Sequence, residues 1–375
     1  MLISLRGLEK AMVNLLKEIA DFHRFFRRTP KAERTIVFYA EHQDYYPYFE
    51  GLIKELLGEH EQTLSYITSD PDDPILQNRE LGIRTFYLNK LLPFFMAFVN
   101  CRVFVLTMTD LNQFHLKRSI NPVHYVYVFH SLVSTHMIYR HGAFDYYDSI
   151  LCCGLHQVEE IRRHEELYGL KPKNLVEAGY YRLERLSKAH LGYSKKSDGL
   201  SVLVAPTWGS SNLLEICGEE LLRILMDGGY KITLRLHPET VKRHKYSVRD
   251  NIPLEVSVSN MDSLVNADIL ITDWSGIGMK YAFGTERPVI FIDTPRKVNN
   301  PKYEELGIEP VESLLRDKIG VVVSPEKLDT IPEVISALML NRLTYKKDII
   351  EVRKKYVYAF GHSAEIGAQY IKEMV

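Results

Sequence analysis

Five short stretches of the chain place polar or charged residues directly after apolar runs. "YVFHS" ends in His130 and Ser131, and "LVEAGYYRLE" carries Gly179, Tyr181 and Arg182. "VLVAPTWG" ends in Pro206, Thr207, Trp208 and Gly209, and "ITLRLHP" ends in Arg235, His237 and Pro238. "ILITDWSG" ends in Asp273, Ser275 and Gly276. Such a set suits a phosphorylated ligand. Free N–H groups at a helix start, with Ser275 and Gly276, hold an anion. The guanidinium of Arg235 or Arg182 forks onto phosphate oxygens. A protonated His237 balances charge on a leaving phosphate. A neutral His130 takes a proton from an attacking hydroxyl.

Each residue alone has a plainer reading. Ser275 or Asp273 caps the following helix, His237 opens one ahead of Pro238, and Trp208 and Trp274 pack. The joint placement is what argues for a site, because ligands of doubly wound sheets lie beyond the carboxyl ends of the strands. Within the turn, Asp273 is expected to shape the backbone, since a carboxylate beside a bound anion repels it.

The elements that must position these residues follow from periodicity. Residues 1–33 form a helical segment in which Leu5, Leu8, Met12, Leu15, Leu16, Ile19 and Phe22 recur at spacings near three and four. Arg6, Lys10, Lys17, Arg24, Arg27 and Arg28 make it basic, while Glu9, Glu18 and Asp21 dilute that charge. A helix lying on an anionic membrane surface and a helix packed on the protein body are both open. From Arg34, β-rich runs alternate with helical ones, which predicts a Rossmann-like, doubly wound domain over 34–193. The polar stretch "SKKSDG" (194–199) reads as a linker, and 199–375 repeats the α/β alternation and ends in helices. The predicted fold is therefore α/β, with two Rossmann-like domains behind an N-terminal amphipathic helix.

Other chemistry loses support. The net charge of −1 gives no reason to expect a nucleic-acid partner. There is no G-x-G-x-x-G after the first strand and no G-x-x-x-x-G-K-[ST] loop, so neither hydride transfer nor NTP hydrolysis is expected, and no cofactor. No metal set stands out: "DPDD" at 70–73 reads as a solvated turn. Cys101, Cys152, Cys153 and Cys217 form no C-x-x-C pair, which suits a reducing, cytoplasmic setting. The apolar stretch from Leu91 is broken by Pro93, Asn100 and Arg102, so no membrane span is expected. No signal peptide is read at the N-terminus.

Taken together, the motifs resemble one family. "RLHP" (235–238) and "TDWSG" (272–276) resemble the R-x-H-P and T-D-Y-S-S signatures of the CDP-glycerol glycerophosphotransferases, the teichoic acid polymerase family. "APTWG" (205–209) is similar to that family's A-P-T-W-R, "ERPVIF" (286–291) to its R-P-x-x-F/Y, and "GYYRLERL" (179–186) to its G-x-P-R-x-D-x-L. The resemblance runs over residues 124–295 and implies a GT-B-type fold. It implies a CDP-linked donor bound mainly by the second domain, at His237, Thr207, Arg235, Ser275 and Gly276. It also implies a peripheral place on the inner membrane face. His130 matches the base of the family's W-H-G-T motif, which here reads Phe129-His130-Ser131-Leu132. The family glycine is thus Ser131, the Arg after A-P-T-W is Gly209, and the second Ser of T-D-Y-S-S is Gly276. His136, Arg140 and His141, in the loop after His130, are further base, acceptor or phosphate candidates.

The expected activity is transfer of glycerol phosphate, or a related polyol phosphate, from a CDP-linked donor to an acceptor hydroxyl, with release of CMP. The acceptor would be a lipid-linked or polymeric glycan. Two alternatives stay open: a GT-B glycosyltransferase using a CMP- or UDP-sugar, and a non-catalytic glycan-binding partner of a synthesis complex.

Overall fold

The structure is a computed structural model that describes residues 5–78, 82–194, 199–209, 211–236, 240, 253–255 and 260–375, with backbone alone at 5–8, 254 and 255. The first sheet comprises β1 (Ile36–Ala40), β2 (Leu64–Thr68), β3 (Arg84–Tyr87), β4 (Val103–Leu106), β5 (His124–Val128), β6 (Ser149–Cys152) and β7 (Asn174–Glu177). Its order is β3-β2-β1-β4-β5-β6-β7. The second comprises β8 (Ser201–Val204), β9 (Lys231–Arg235), β10 (Leu254–Glu255), β11 (Ile269–Thr272), β12 (Val289–Ile292) and β13 (Gly320–Val323). Its order is β10-β9-β8-β11-β12-β13. Every pairing is parallel.

Apolar runs such as "IVFYA", "ILIT" and "VIFI" are buried along their whole length, as strands covered by helices on both faces must be. Strand order reverses between β1 and β4 in the first sheet and between β8 and β11 in the second. Those two switch points are where a doubly wound sheet opens a crevice at its carboxyl edge.

The helix Tyr181–Leu191 joins the halves. Leu186 packs so closely on the helix Ile277–Thr285 that a Cβ on Gly284 would lie 2.6 Å from its Cδ2. The terminal helix, Ser363–Glu373, was expected with the second half. Instead it lies on the first, where Ala368 and Ile371 share a core with Leu52, Ile53 and Leu56. Of the stretch 194–199, residues 195–198 lie outside the described residues.

The N-terminal helix spans Leu5–His23 and runs into a π-helical turn, Arg24–Arg28. Two of its three acids, Glu18 and Asp21, face inward, while Glu9 is exposed. Glu18 Oε1 accepts from the backbone N–H groups of Asn89 (2.5 Å) and Leu91 (2.6 Å), and Asp21 Oδ2 accepts from Tyr87 (2.8 Å). Phe25 anchors the turn against Phe86 and Phe95. Met12, Val13, Leu16 and Ile19 stay exposed. No described helix is long and apolar enough to cross a membrane.

Candidate active site

The carboxyl edges of the two sheets face each other across a cavity of about 550 Å³. The second half supplies Thr207 and Trp208 after β8, Trp274, Ser275 and Gly276 after β11, and Lys297 beyond β12. The first half supplies Glu41 after β1, Thr107 after β4, and His130 and Ser131 after β5. A smaller cavity of about 140 Å³ shares His130, Ser131, Ser275 and Gly276 and adds Arg235 and Lys280.

The floor is held by Asp273, which is 1% exposed. Its two carboxylate oxygens accept from the backbone N–H of Thr207 (2.8 Å) and of Leu213 (3.0 Å). One side chain thereby ties the loop after β8 to the turn after β11, while burial pushes its pKa up. Thr272 Oγ1 donates to the Ala205 carbonyl at 2.6 Å and adds a second tie. Trp274 is a packing residue: its indole N–H donates to the Thr294 carbonyl at 2.6 Å, and the Arg316 guanidinium lies 4.2 Å from its ring. Trp208 is different, because Lys297 Nζ sits 4.0 Å above its ring.

His130 occupies an aromatic box. The rings of Tyr45 and Tyr48 are each 6.1 Å away and that of Tyr139 is 5.8 Å away. The Tyr180 hydroxyl donates to the His130 carbonyl at 2.8 Å, which fixes the backbone. Burial pulls the imidazole pKa down to about 4, so the ring is neutral at physiological pH and can accept a proton.

The facing wall is cationic. Arg235, 6% exposed, donates to Ser263 Oγ at 3.0 Å. Burial, with the charges of Arg182 and Arg235, holds the Lys280 ammonium well below the ordinary lysine range. Among the described residues lining the smaller cavity, none is acidic. Like charges gathered in a poorly solvated space repel one another, and an anionic ligand relieves that cost. Lys297 Nζ donates to Thr207 Oγ1 at 3.1 Å, and burial lowers its pKa to about 8.

Of the residues proposed from sequence, His130, Thr207, Ser275, Gly276 and Arg140 line the larger cavity. Arg235 lines the smaller one. Arg182, 1% exposed, lies behind Tyr48, 4.9 Å from its ring, and acts on the site through its charge on Lys280. His237 lies outside the described residues. The loop histidines point elsewhere. His136 has Nε2 3.0 Å from the Ile308 carbonyl and Nδ1 3.3 Å from Glu160 Oε1. Burial opposes its charged form, yet Glu160 and the Ile308 carbonyl together hold its pKa above the ordinary value. His141 is exposed beside His164 and Tyr168. Lys280 and Lys297 were not singled out from the sequence. Lys280 stands one helical turn beyond Gly276, a spacing that could have suggested it. No motif marks Lys297. Among the described residues no group of three or more His, Cys, Asp or Glu is placed to hold a metal ion.

Two parallel sheets meeting at their switch points give an α/β fold of the GT-B type, with a neutral imidazole facing a cationic wall. In sequence, residues 157–298 match the family of CDP-glycerol:poly(glycerophosphate) glycerophosphotransferases. A comparison with curated proteins by sequence finds no match. Among solved structures, the fold matches a variant of the wall teichoic acid polymerase TagF at TM-score 0.62 and 16% identity, over 97% of this chain and 98% of that one. A TagF variant soaked with CDPG matches at TM-score 0.63 and 15% identity, over 100% and 98%. A putative UDP-N-acetylglucosamine 2-epimerase from Listeria monocytogenes matches at TM-score 0.53 and 13% identity, over 88% and 93%. At these identities the structural likenesses speak for the fold alone, and the family match concerns residues 157–298.

Proposed function

We propose that the protein transfers glycerol phosphate, or a related polyol phosphate, from a CDP-linked donor to a hydroxyl of a lipid-linked or polymeric glycan acceptor. The observation that carries this reading is the opposition of the two cavity walls. A proton acceptor kept neutral by burial faces Arg235 and Lys280 across a space that Ser275 and Gly276 also line.

In this reading the donor diphosphate rests against Arg235, Lys280, Ser275 and Gly276, and Thr207 and Lys297 bound the adjoining part of the cavity. His237, two residues past β9, is proposed to join them on the leaving phosphate. The acceptor hydroxyl enters beside His130. Its oxygen attacks the phosphorus that bears glycerol, and its proton passes to the imidazole. The bond from that phosphorus to the bridging oxygen breaks, and CMP leaves with that oxygen. Positioning and fixed positive charge do the work, with no covalent intermediate on the protein. Arg140, at the cavity mouth, is proposed to meet acceptor phosphates.

We further propose that the protein docks on anionic membrane through the N-terminal helix. With Glu18 and Asp21 turned inward, the side left to solvent exposes Met12, Val13, Leu16 and Ile19 together with Glu9, Lys10 and Lys17, and Phe94 and Phe98 are also exposed.

The test of the transfer reading is release of free nucleotide. The purified protein is incubated with CDP-glycerol, CMP-sugars or UDP-sugars together with a glycan acceptor. CMP release from CDP-glycerol alone is expected. Turnover of a sugar donor instead would replace this reading with a glycosyltransferase. No turnover of any donor, with binding retained, would favour a binding partner. For the membrane, replacing Met12, Val13, Leu16 and Ile19 by Ser should abolish sedimentation with anionic vesicles, and unchanged sedimentation would sink the docking idea.

A further inference from the structure

Beside the site, the loop after β5 in the first half packs directly against the turn after β11 in the second. A Cβ built on Gly276 would lie 2.6 Å from Ser131 Oγ and 2.5 Å from Val133 Cγ1. Gly276 has φ −59° and ψ −10°, a helical conformation open to any residue. What glycine supplies there is room, not conformational freedom. The occupants of that room are the Ser131 hydroxyl and the Val133 side chain, both reaching across from the first half.

Ser131 is held firmly. Gln157 Nε2 donates to its carbonyl at 3.3 Å, and Gln157 Oε1 accepts from the Cys153 N–H at 2.7 Å. Its side chain lines both the larger and the smaller cavity, as do His130, Ser275 and Gly276. The hydroxyl therefore sits between the base and the cationic wall, where Ser275 stands on the other side. The two departures from the family motifs, Ser131 for a glycine and Gly276 for a serine, are the two sides of this single contact. A hydroxyl is missing from one half and present, at the same place, on the other.

We infer that Ser131 is a donor-binding residue whose hydroxyl hydrogen-bonds a phosphate oxygen of the donor, and that Gly276 is kept bare to admit it. This rests on the donor site proposed above. It also assigns the first half a share in holding the donor, which the motifs place mainly on the second half.

The test separates volume from hydrogen bonding by measuring binding of CDP-glycerol and of inorganic pyrophosphate by calorimetry, with the melting temperature as the packing readout. S131A should weaken donor binding about tenfold with an unchanged melting temperature. G276S alone should lose binding and melt lower, because its side chain has no room. In S131G/V133A/G276S both neighbours make room and the hydroxyl returns from the opposite side, so binding should recover to within a few-fold of the parent. S131G/V133A/G276A fills the same space without a hydroxyl. It should melt like S131G/V133A/G276S yet bind as weakly as S131A. Equal binding by those two triple variants, or full binding by S131A, would overturn the inference. If the parent protein binds pyrophosphate but not CDP-glycerol, the donor reading fails on its own, and the same series in pyrophosphate still decides the role of Ser131. If it binds neither, both fall.

Discussion

The two walls of the central cavity solve opposite electrostatic problems. On the first-half wall, Tyr45, Tyr48 and Tyr139 strip water from His130 and keep it uncharged. On the second-half wall, Arg235 and Lys280 are held close together, with the charge of Arg182 behind them, so positive charge accumulates at a cost. The same physical lever, desolvation, thus produces a proton acceptor on one side and an anion trap on the other. A transfer between two hydroxyl-bearing substrates needs both, and neither wall suffices alone.

The contrast breaks most sharply at His130. His130→Ala should lower kcat by a hundredfold to ten-thousandfold, on the order expected for loss of a positioned base. Donor binding, measured by calorimetry, should stay within about threefold, since that energy resides mainly on the other wall and, on this side, in Ser131 rather than the imidazole. Comparable losses in kcat and in donor affinity would mean that the walls do not divide the labour. The mirror-image change is Lys280→Met, which keeps the length of the side chain and removes its charge. It should raise the donor Kd about ten- to a hundredfold, the range for a charge-assisted hydrogen bond. A pure kcat effect in Lys280→Met would move this residue out of the donor site.

The pH profile sharpens the same comparison. An imidazole pulled down to about 4 is still neutral at pH 5.5, so kcat/KM should stay flat from pH 7.5 to 5.5, where an ordinary histidine would already be failing. Opening the box with Tyr48→Ser should move the acid limb up toward the ordinary value of 6.5. On the alkaline side, Lys297 loses its charge as pH rises through about 8. The upper limb should therefore fall near there and vanish in Lys297→Arg. A profile with an acid limb near 6.5 in the parent protein would argue that His130 is solvated in solution and that the box is open.

Much of this was legible in the sequence, for identifiable reasons. Strands buried on both faces spell themselves out as apolar runs, so "IVFYA" and "ILIT" could be read directly. Turns at strand ends announce themselves through Thr, Ser, Asp and Gly, which is why "TDWSG" was found. Lysines carry no such signature. Lys280 and Lys297 matter because of what surrounds them, and burial by distant elements cannot be read locally. In the loop after His130, residues 136, 140 and 141 looked equivalent. The turn Thr135–Ile138 breaks the tie by rotating His136 onto Glu160 and leaving Arg140 at the cavity. The terminal helix shows the same limit: its apolar stripe demands a partner but does not say which sheet supplies it. Ser131 and Gly276 looked like two separate departures from a pattern, and only their contact makes them one feature.

The smallest expected effect concerns how the walls are held in register. Glu312, on the second-half helix Val311–Ile319, accepts from the Ser134 N–H at 3.0 Å and so grips the first-half loop that carries Ser131 and Arg140. Glu160 supports the next residue, accepting from Thr135 Oγ1 at 2.6 Å. Burial, reinforced by the charge of Glu160, pushes the Glu312 carboxyl up to about 7 from an ordinary 4.5. A carboxyl whose pKa is raised on folding binds its proton more tightly in the folded state. Its contribution is complete below about 4.5 and is lost as pH rises through about 7. The shift corresponds to a few kcal/mol at most, about 1.4 kcal/mol for each pH unit. Glu312→Gln keeps an acceptor for the Ser134 N–H and removes the titration. Denaturant unfolding across pH 5 to 8 should therefore show a decline in the parent protein that is flattened in Glu312→Gln. His130 has its pKa moved the other way and titrates in both proteins, so it cancels in the difference. Identical pH dependence in the two would mean that Glu312 is solvated and does not clamp the walls together.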